Sequence, residues 1–277
     1  MIYIENKKTQ SILMILLAIL VLLAVFILIY PSVYEHICKT RHFDEFEEGI
    51  TTEVLESNIV IVRRLEETNG NVTHVSYSSG ASGVIFDSEN DTYYALTAYH
   101  VVMNCENTDL FVLPYGSPTY SEYSKNNDSY VSYEMYYGQF RNPQLVYFDE
   151  ECDLAVIKFK SNKKMNVLSI CEKNPQYKER IAVISNPMGE RFLCTYGTIN
   201  SKKYYIFNSN DGLLPVNTYK HSAYENYGSS GSAVLNSEMQ IVGINIGGGT
   251  DFMQRFKFGA MVPCEMICEF LEKSSLK

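Results

Sequence analysis

The sequence predicts an all-β domain behind one N-terminal apolar helix. Short runs rich in Val, Ile, Tyr and Phe recur from residue 59 to residue 261, separated by turn residues, as in a sandwich or barrel. Helical periodicity appears only over Pro263–Leu271, with Pro suited to a first helical position. Ahead of these runs, Ile12–Tyr30 is nineteen residues without a charge.

At about 1.5 Å per residue, the apolar run spans roughly 28 Å, close to a bilayer's ~30 Å hydrocarbon core. It lacks the polar face of an amphipathic soluble helix. A cleavable leader would carry about 7–15 apolar residues ending in small ones. This run is longer and ends Ile29-Tyr30-Pro31, so an uncleaved anchor is expected. Lys7 and Lys8 precede the span, and Lys39 and Arg41 follow it, which nearly balances the positive-inside rule. The expected organisation is a tail at 1–11, an anchor at 12–30, a linker at 31–51 and a folded domain at 52–273.

The strand candidates are Ile59–Val62, Val72–Tyr77, Gly83–Phe86, Tyr93–Thr97, Leu110–Leu113, Ser132–Phe140, Leu145–Phe148 and Leu154–Phe159. They continue with Ile181–Ser185, Phe192–Ile199, Tyr204–Phe207, Ala233–Leu235, Ile241–Ile246 and Phe258–Met261. Turn signals include Thr68-Asn69-Gly70-Asn71, Asp87-Ser88-Glu89-Asn90, Asn210-Asp211-Gly212 and Asn236-Ser237-Glu238. Tyr115–Tyr130, rich in Ser, Asn and Tyr, reads as a long surface loop.

Composition narrows the function classes. A net charge of -9 without a Lys/Arg cluster argues against nucleic-acid binding. The acidic run Asp44-Glu45-Phe46-Glu47-Glu48 reads as a solvated juncture after the membrane segment. The seven cysteines are Cys38, Cys105, Cys152, Cys171, Cys194, Cys264 and Cys268. They form no CxxC pair and no zinc spacing, so neither a metal site nor a disulfide framework is expected. Cys264 and Cys268 lie one helical turn apart and are expected to pack. No nucleotide-binding glycine pattern is present, and no cofactor is expected.

Three segments can carry chemistry. In Leu96-Thr97-Ala98-Tyr99-His100-Val101-Val102 a His closes a strand; in Cys152-Asp153-Leu154-Ala155-Val156 an Asp opens one. The third is Gly228-Ser229-Ser230-Gly231-Ser232-Ala233. A serine hydroxyl needs an imidazole to take its proton and a buried carboxylate to hold that imidazole. The developing oxyanion needs preorganised N–H donors, which glycine's backbone freedom helps to aim. All five His precede Ser230, which excludes the α/β-hydrolase order, and the sequence lacks a matching Asp before His100 for a subtilisin order. The order His100, Asp153, Ser230 remains.

These segments resemble the chymotrypsin-fold peptidases, in particular the HtrA/Deg-like bacterial branch. The matches are Thr97–Val102 as T-A-x-H-V-V, Asp153–Val156 as D-L-A-V, and Gly228–Gly231 as G-N-S-G with Ser229 in the Asn position. Ser82–Phe86, Asn186–Gly189, Tyr196–Ile199, Val242–Asn245 and Ala260–Pro263 also look like this branch, and the resemblance spans about 55 to 270. No PDZ module is expected, because the chain ends soon after the final helix.

The resemblance implies two six-stranded Greek-key barrels, one over about 52–160 and one over about 175–262, with the site between them. His100, Asp153 and Ser230 would form the triad, and the N–H groups of Gly228 and Ser230 the oxyanion hole. Polypeptides would be the substrates, and the peptidase domain would lie outside the cytoplasm, with the N-terminus inside. The primary pocket would involve Tyr224, six residues before the nucleophile, with Ile244, Asn245 and Ile246 on the strand after it. No carboxylate stands at 224 and no His at 245, so cleavage after small or medium uncharged residues is expected. The alternative is a membrane-tethered binding or sensing module with little or no turnover.

Overall fold

The computed structural model describes residues 2–46, 48–103, 109–127, 129–140, 142–208 and 214–276. Cys105 and the Asn210-Asp211-Gly212 turn lie outside the described residues. Helix α1, Ile2–Thr40, contains the apolar run, with Pro31 inside it. The stretch Gln10–Thr40 reaches a mean hydropathy of 3.7 over its most apolar window, and none of that window is buried. The expected linker therefore begins as ten further residues of helix. A single 3-10 turn at Asp44–Phe46 follows, then α2, Thr52–Glu56. Phe46 is fully buried against Tyr196, with ring centroids 5.6 Å apart.

The chain then forms two sheets of seven strands each, one more per sheet than expected. The first contains β1 (Asn58–Asn69), β2 (Val72–Tyr77), β3 (Ala81–Glu89), β4 (Thr92–Ala98), β5 (Leu110–Pro114), β6 (Gln144–Asp149) and β7 (Leu154–Lys160). The extra strand has a simple origin. Arg64–Asn69 of β1 outruns the barrel and pairs only with β2, forming an exposed hairpin arm. The inner half of β1 pairs with β3 and β5. Order β5-β1-β3-β4-β7-β6 remains, and Asn142 Nδ2 donates to Leu110 O at 2.8 Å between its two ends.

The second sheet contains β8 (Arg180–Ser185), β9 (Leu193–Thr198), β10 (Tyr205–Phe207), β11 (Val216–His221), β12 (Ala233–Leu235), β13 (Ile241–Thr250) and β14 (Phe256–Pro263). Its order is β10-β11-β14-β13-β12-β8-β9. An antiparallel bridge between Ile199 and His221 joins the end of β9 to β11 and closes six of the strands into a barrel. β10 hangs on β11 outside the closure. Core residues of both sheets, such as Ile85, Leu96 and Val156 with Ile184, Ile244 and Val262, form one continuous cluster.

Four local readings need correction. Ser132–Phe140 is not a strand but holds a helix, Tyr133–Tyr137, because Tyr133, Tyr136 and Tyr137 stand at helical spacing and Ser132 Oγ caps the Met135 N–H at 3.1 Å. The Tyr115–Tyr130 loop contains the helix Tyr120–Lys125, started by a capping box between Thr119 and Glu122. β11 was not anticipated, since Asn217, Thr218, Lys220 and His221 disguise it as polar. Pro263 is the N-cap of the last helix, Cys264–Ser274, rather than its first residue. Cys264 is buried there, and the six described cysteines are all free thiols.

Candidate active site

β4 delivers His100 into the short helix α3, Tyr99–Val102. Asp153 sits immediately before β7 in a left-handed conformation (φ 51°), which Asp tolerates better than most residues. β4 and β7 are paired, with Ala98 opposite Leu154, so the strand register brings the two residues together. Asp153 Oδ2 lies 2.7 Å from His100 Nδ1, and Oδ1 accepts the His100 backbone N–H at 2.9 Å. Asp153 O also accepts the Tyr99 N–H at 3.0 Å. Asp153 is 1% exposed, so this contact is shielded from water.

Ser230 lies in the loop between β11 and β12 and lines the same cleft as His100. Of the three clustered serines, Ser229 and Ser232 are fully buried. Ser229 Oγ points inward to Ser185 Oγ at 3.3 Å, so only Ser230 faces the cleft. Gly228 takes φ +102°, and a Cβ there would collide with Asn186 O. Gly231 takes φ +84° and passes so close to Ser82 O and Thr97 Oγ1 that no side chain fits.

The first sheet clamps this loop. Ser82 N donates to Ser230 O at 2.9 Å, and Ser82 Oγ donates to Gly228 O at 2.8 Å. Asn186, buried at the junction, reaches Ile59 O and Ala81 O at 3.3 Å and Ser82 Oγ at 3.0 Å. The Ser229 N–H is bonded to Asn226 O at 2.9 Å. The N–H groups on either side, of Gly228 and Ser230, have no acceptor among the described residues. The expected oxyanion donors are therefore free. Among the described residues, no group of His, Cys, Asp or Glu could hold a metal ion.

The pocket residues divide. Tyr224 and Ile246 line the cleft. Ile244 does not; it is fully buried in the core, opposite Ala233 and Val262. Asn245 is also fully buried, behind the wall. Its carbonyl accepts the Gly231 N–H at 2.7 Å, and its Nδ2 donates to Ser229 O at 3.3 Å, so it supports the nucleophile loop. The two were misassigned because strand alternation sends Ile244 inward, and Asn245 is held by backbone bonds.

Sequence reasoning missed three features. Glu225, beside Tyr224, puts a carboxylate in the cleft. Burial pushes its pKa up to about 7. Fully buried His221 places Nε2 3.0 Å from Asn245 Oδ1, and burial lowers its pKa to about 4. The end of α1 also lines the cleft through Pro31, Tyr34 and Glu35. Tyr224 Oη donates to Glu35 Oε1 at 2.7 Å, and burial raises the Tyr224 pKa. Lys39 Nζ lies 3.3 Å from Glu35 and 3.0 Å from Glu190. The signal available in the sequence was Glu225's place five residues before Ser230.

Comparison with known proteins bears on the family and the fold. The family model described as "Trypsin-like peptidase domain" matches residues 81–244. Serine protease Do-like HtrB of Bacillus subtilis (strain 168) is 26% identical over 168 residues, covering 59% of this chain and 32% of the relative. Serine protease Do-like HtrA of Lactococcus lactis subsp. cremoris (strain MG1363) is 28% identical over 172 residues, covering 60% and 37%. The chain thus spans about a third of the length of these curated relatives. Among solved structures, the HtrA-type protease AlgW with decapeptide aligns at TM-score 0.58 and 18% identity, over 81% of this chain and 66% of that one. The active form of the Rv3671c protease from M. tuberculosis aligns at TM-score 0.56 and 15% identity, over 83% and 86%.

Proposed function

Because the chain belongs to the trypsin-like peptidase domain family, we propose that it is a membrane-anchored serine endopeptidase with His100, Asp153 and Ser230 as its catalytic triad. The observation that carries this reading is the double contact of Asp153 with His100, in the cleft that Ser230 faces. An ionised carboxylate only accepts, so His100 Nδ1 keeps its hydrogen and Nε2 is left to take the Ser230 proton. Ser230 Oγ attacks the peptide carbonyl. The free N–H groups of Gly228 and Ser230 stabilise the oxyanion, and His100 returns the proton to the leaving amine. Water then hydrolyses the acyl-enzyme by the same route.

The unburied helix over Ile12–Tyr30 supports a membrane anchor; an N-terminus in the cytoplasm and a peptidase domain outside are part of the proposal. The helix continues from the span directly into the cleft lining at Pro31, Tyr34 and Glu35, which sets the site close to the membrane surface. Polypeptides are the substrates. A fluorophosphonate probe tests the reading: it labels the full chain and fails to label Ser230→Ala. No labelling of the wild-type chain would favour a binding module on a peptidase-like fold.

A further inference from the structure

Glu225 belongs to the active-site cleft but has no part in the triad. It sits on the loop that leads to Ser230, facing the glycine run Gly247-Gly248-Gly249 of β13. A Cβ at Gly248 would collide with Glu225 Oε1, so the missing side chain is what admits the carboxylate to this wall. Oε2 lies 3.5 Å from Asn245 Nδ2, a weak contact. Buried His221 fixes that amide. Its imidazole stays neutral near pH 7 because burial lowers its pKa to about 4, so Nε2–H donates to Asn245 Oδ1 and Nδ2 is turned to Glu225.

Among the described residues, Glu225 forms no ion pair with a cation. Burial raises its titration, against the contact with Asn245, to about 7. The charged groups that share the cleft with it are engaged elsewhere or do not act on it. Arg255 Nε is bound to Asp251 Oδ2 at 2.6 Å. Glu35 is matched by Lys39 and the Tyr224 hydroxyl. Arg63, on β1, also lines the cleft, but its Nε is buried without a hydrogen-bond partner and it forms no ion pair with Glu225 among the described residues. A carboxylate withdrawn from water without a partner is unfavourable, and a cation arriving with the substrate relieves it.

We propose that Glu225 determines the primary specificity, selecting a Lys or Arg side chain at the residue whose carbonyl Ser230 attacks. The proposal rests on the triad reading and replaces the uncharged preference expected from position 224 alone. That expectation looked for a carboxylate one residue too early.

The test has two arms, both on the full chain in detergent. In the first, peptides differing only in Lys, Arg, Leu or Val at the cleaved position are compared by kcat/KM. Wild type is expected to prefer Lys and Arg, and Glu225→Gln to lower the Lys-to-Leu ratio by about 100-fold, as for loss of one partner of a desolvated charge pair. A Leu or Val preference, or a ratio unchanged in Glu225→Gln, overturns the proposal. The second arm needs no turnover: binding of p-aminobenzamidine, a cation shaped like an arginine head, is followed by its fluorescence in Ser230→Ala. Saturable binding that Glu225→Gln abolishes supports the proposal. Failure to bind overturns it while leaving the triad to be judged by fluorophosphonate labelling.

Discussion

The Asp153 carboxylate holds His100 at two points, the ring Nδ1 through Oδ2 at 2.7 Å and the backbone N–H through Oδ1 at 2.9 Å. One contact sets the tautomer and the other sets the start of α3, so the two can be separated by substitution. Asp153→Asn keeps an oxygen for the backbone N–H but favours the wrong imidazole tautomer. The expected outcome is a thermal midpoint near that of wild type with turnover lowered about 10⁴-fold. A protein that unfolds while its residual turnover per folded molecule stays high would make Asp153 a structural residue.

Gly231 allows the nucleophile loop to press against the first sheet. Gly231→Ala drives a methyl into Ser82 O and Thr97 Oγ1 at a φ that L side chains avoid. Strain of this kind costs about 1–3 kcal/mol before any clash, so a clear fall in the melting midpoint is expected, together with loss of fluorophosphonate labelling. Wild-type stability and labelling in this variant would show that the loop does not press against Ser82 and Thr97.

Fully buried His221 and half-buried Glu225, both near the pocket, oppose each other in pH. His221 titrates at about 4 instead of 6.5, so its share of stability is complete above about pH 6.5 and is lost as pH falls towards 4. That loss amounts to about 3 kcal/mol over the window. Glu225 titrates at about 7 instead of 4.5, so its share is complete below 4.5 and is lost as pH rises through 7. Between 4.5 and 6.5 the slopes offset. Glu225→Gln removes one of them, and its melting midpoint should fall more steeply than that of wild type on acidification from pH 6.5 to 4. Parallel curves would count against the burial of these groups.

Tyr224 connects the cleft to the anchor helix through its 2.7 Å bond to Glu35. Tyr224→Phe keeps the ring and removes the bond, at a cost of about 1 kcal/mol. Hydrogen exchange over residues 31–40 should speed up in that variant. Unchanged exchange there would mean that this bond does not hold α1 against the cleft.

Much of this was legible in the sequence. His100, Asp153 and Ser230 each stand beside a strand end or a glycine turn, and such local signals survive without coordinates. Ile12–Tyr30 was equally plain, because nothing in it is polar. Most of the misses share a cause: they depend on contacts across the fold. Ile244 and Asn245 read as pocket wall until β12 and β14 are seen to enclose them. His221 reads as a polar loop residue until β14 packs over it, leaving no room for a side chain at Gly259. Helical spacing of Tyr133, Tyr136 and Tyr137 was present but was masked by the high strand propensity of Tyr.

The central claim is that Ser230 is the nucleophile, and active-site labelling reads it most directly. The full chain in detergent is incubated with a fluorophosphonate and digested, and the modified peptide is sequenced. The account predicts a single adduct on Ser230, none on Ser229 or Ser232, and in Ser230→Ala neither adduct nor more than a trace of peptidase activity, a loss of about 10⁴-fold or greater. An adduct on another serine, or full activity in Ser230→Ala, would contradict it.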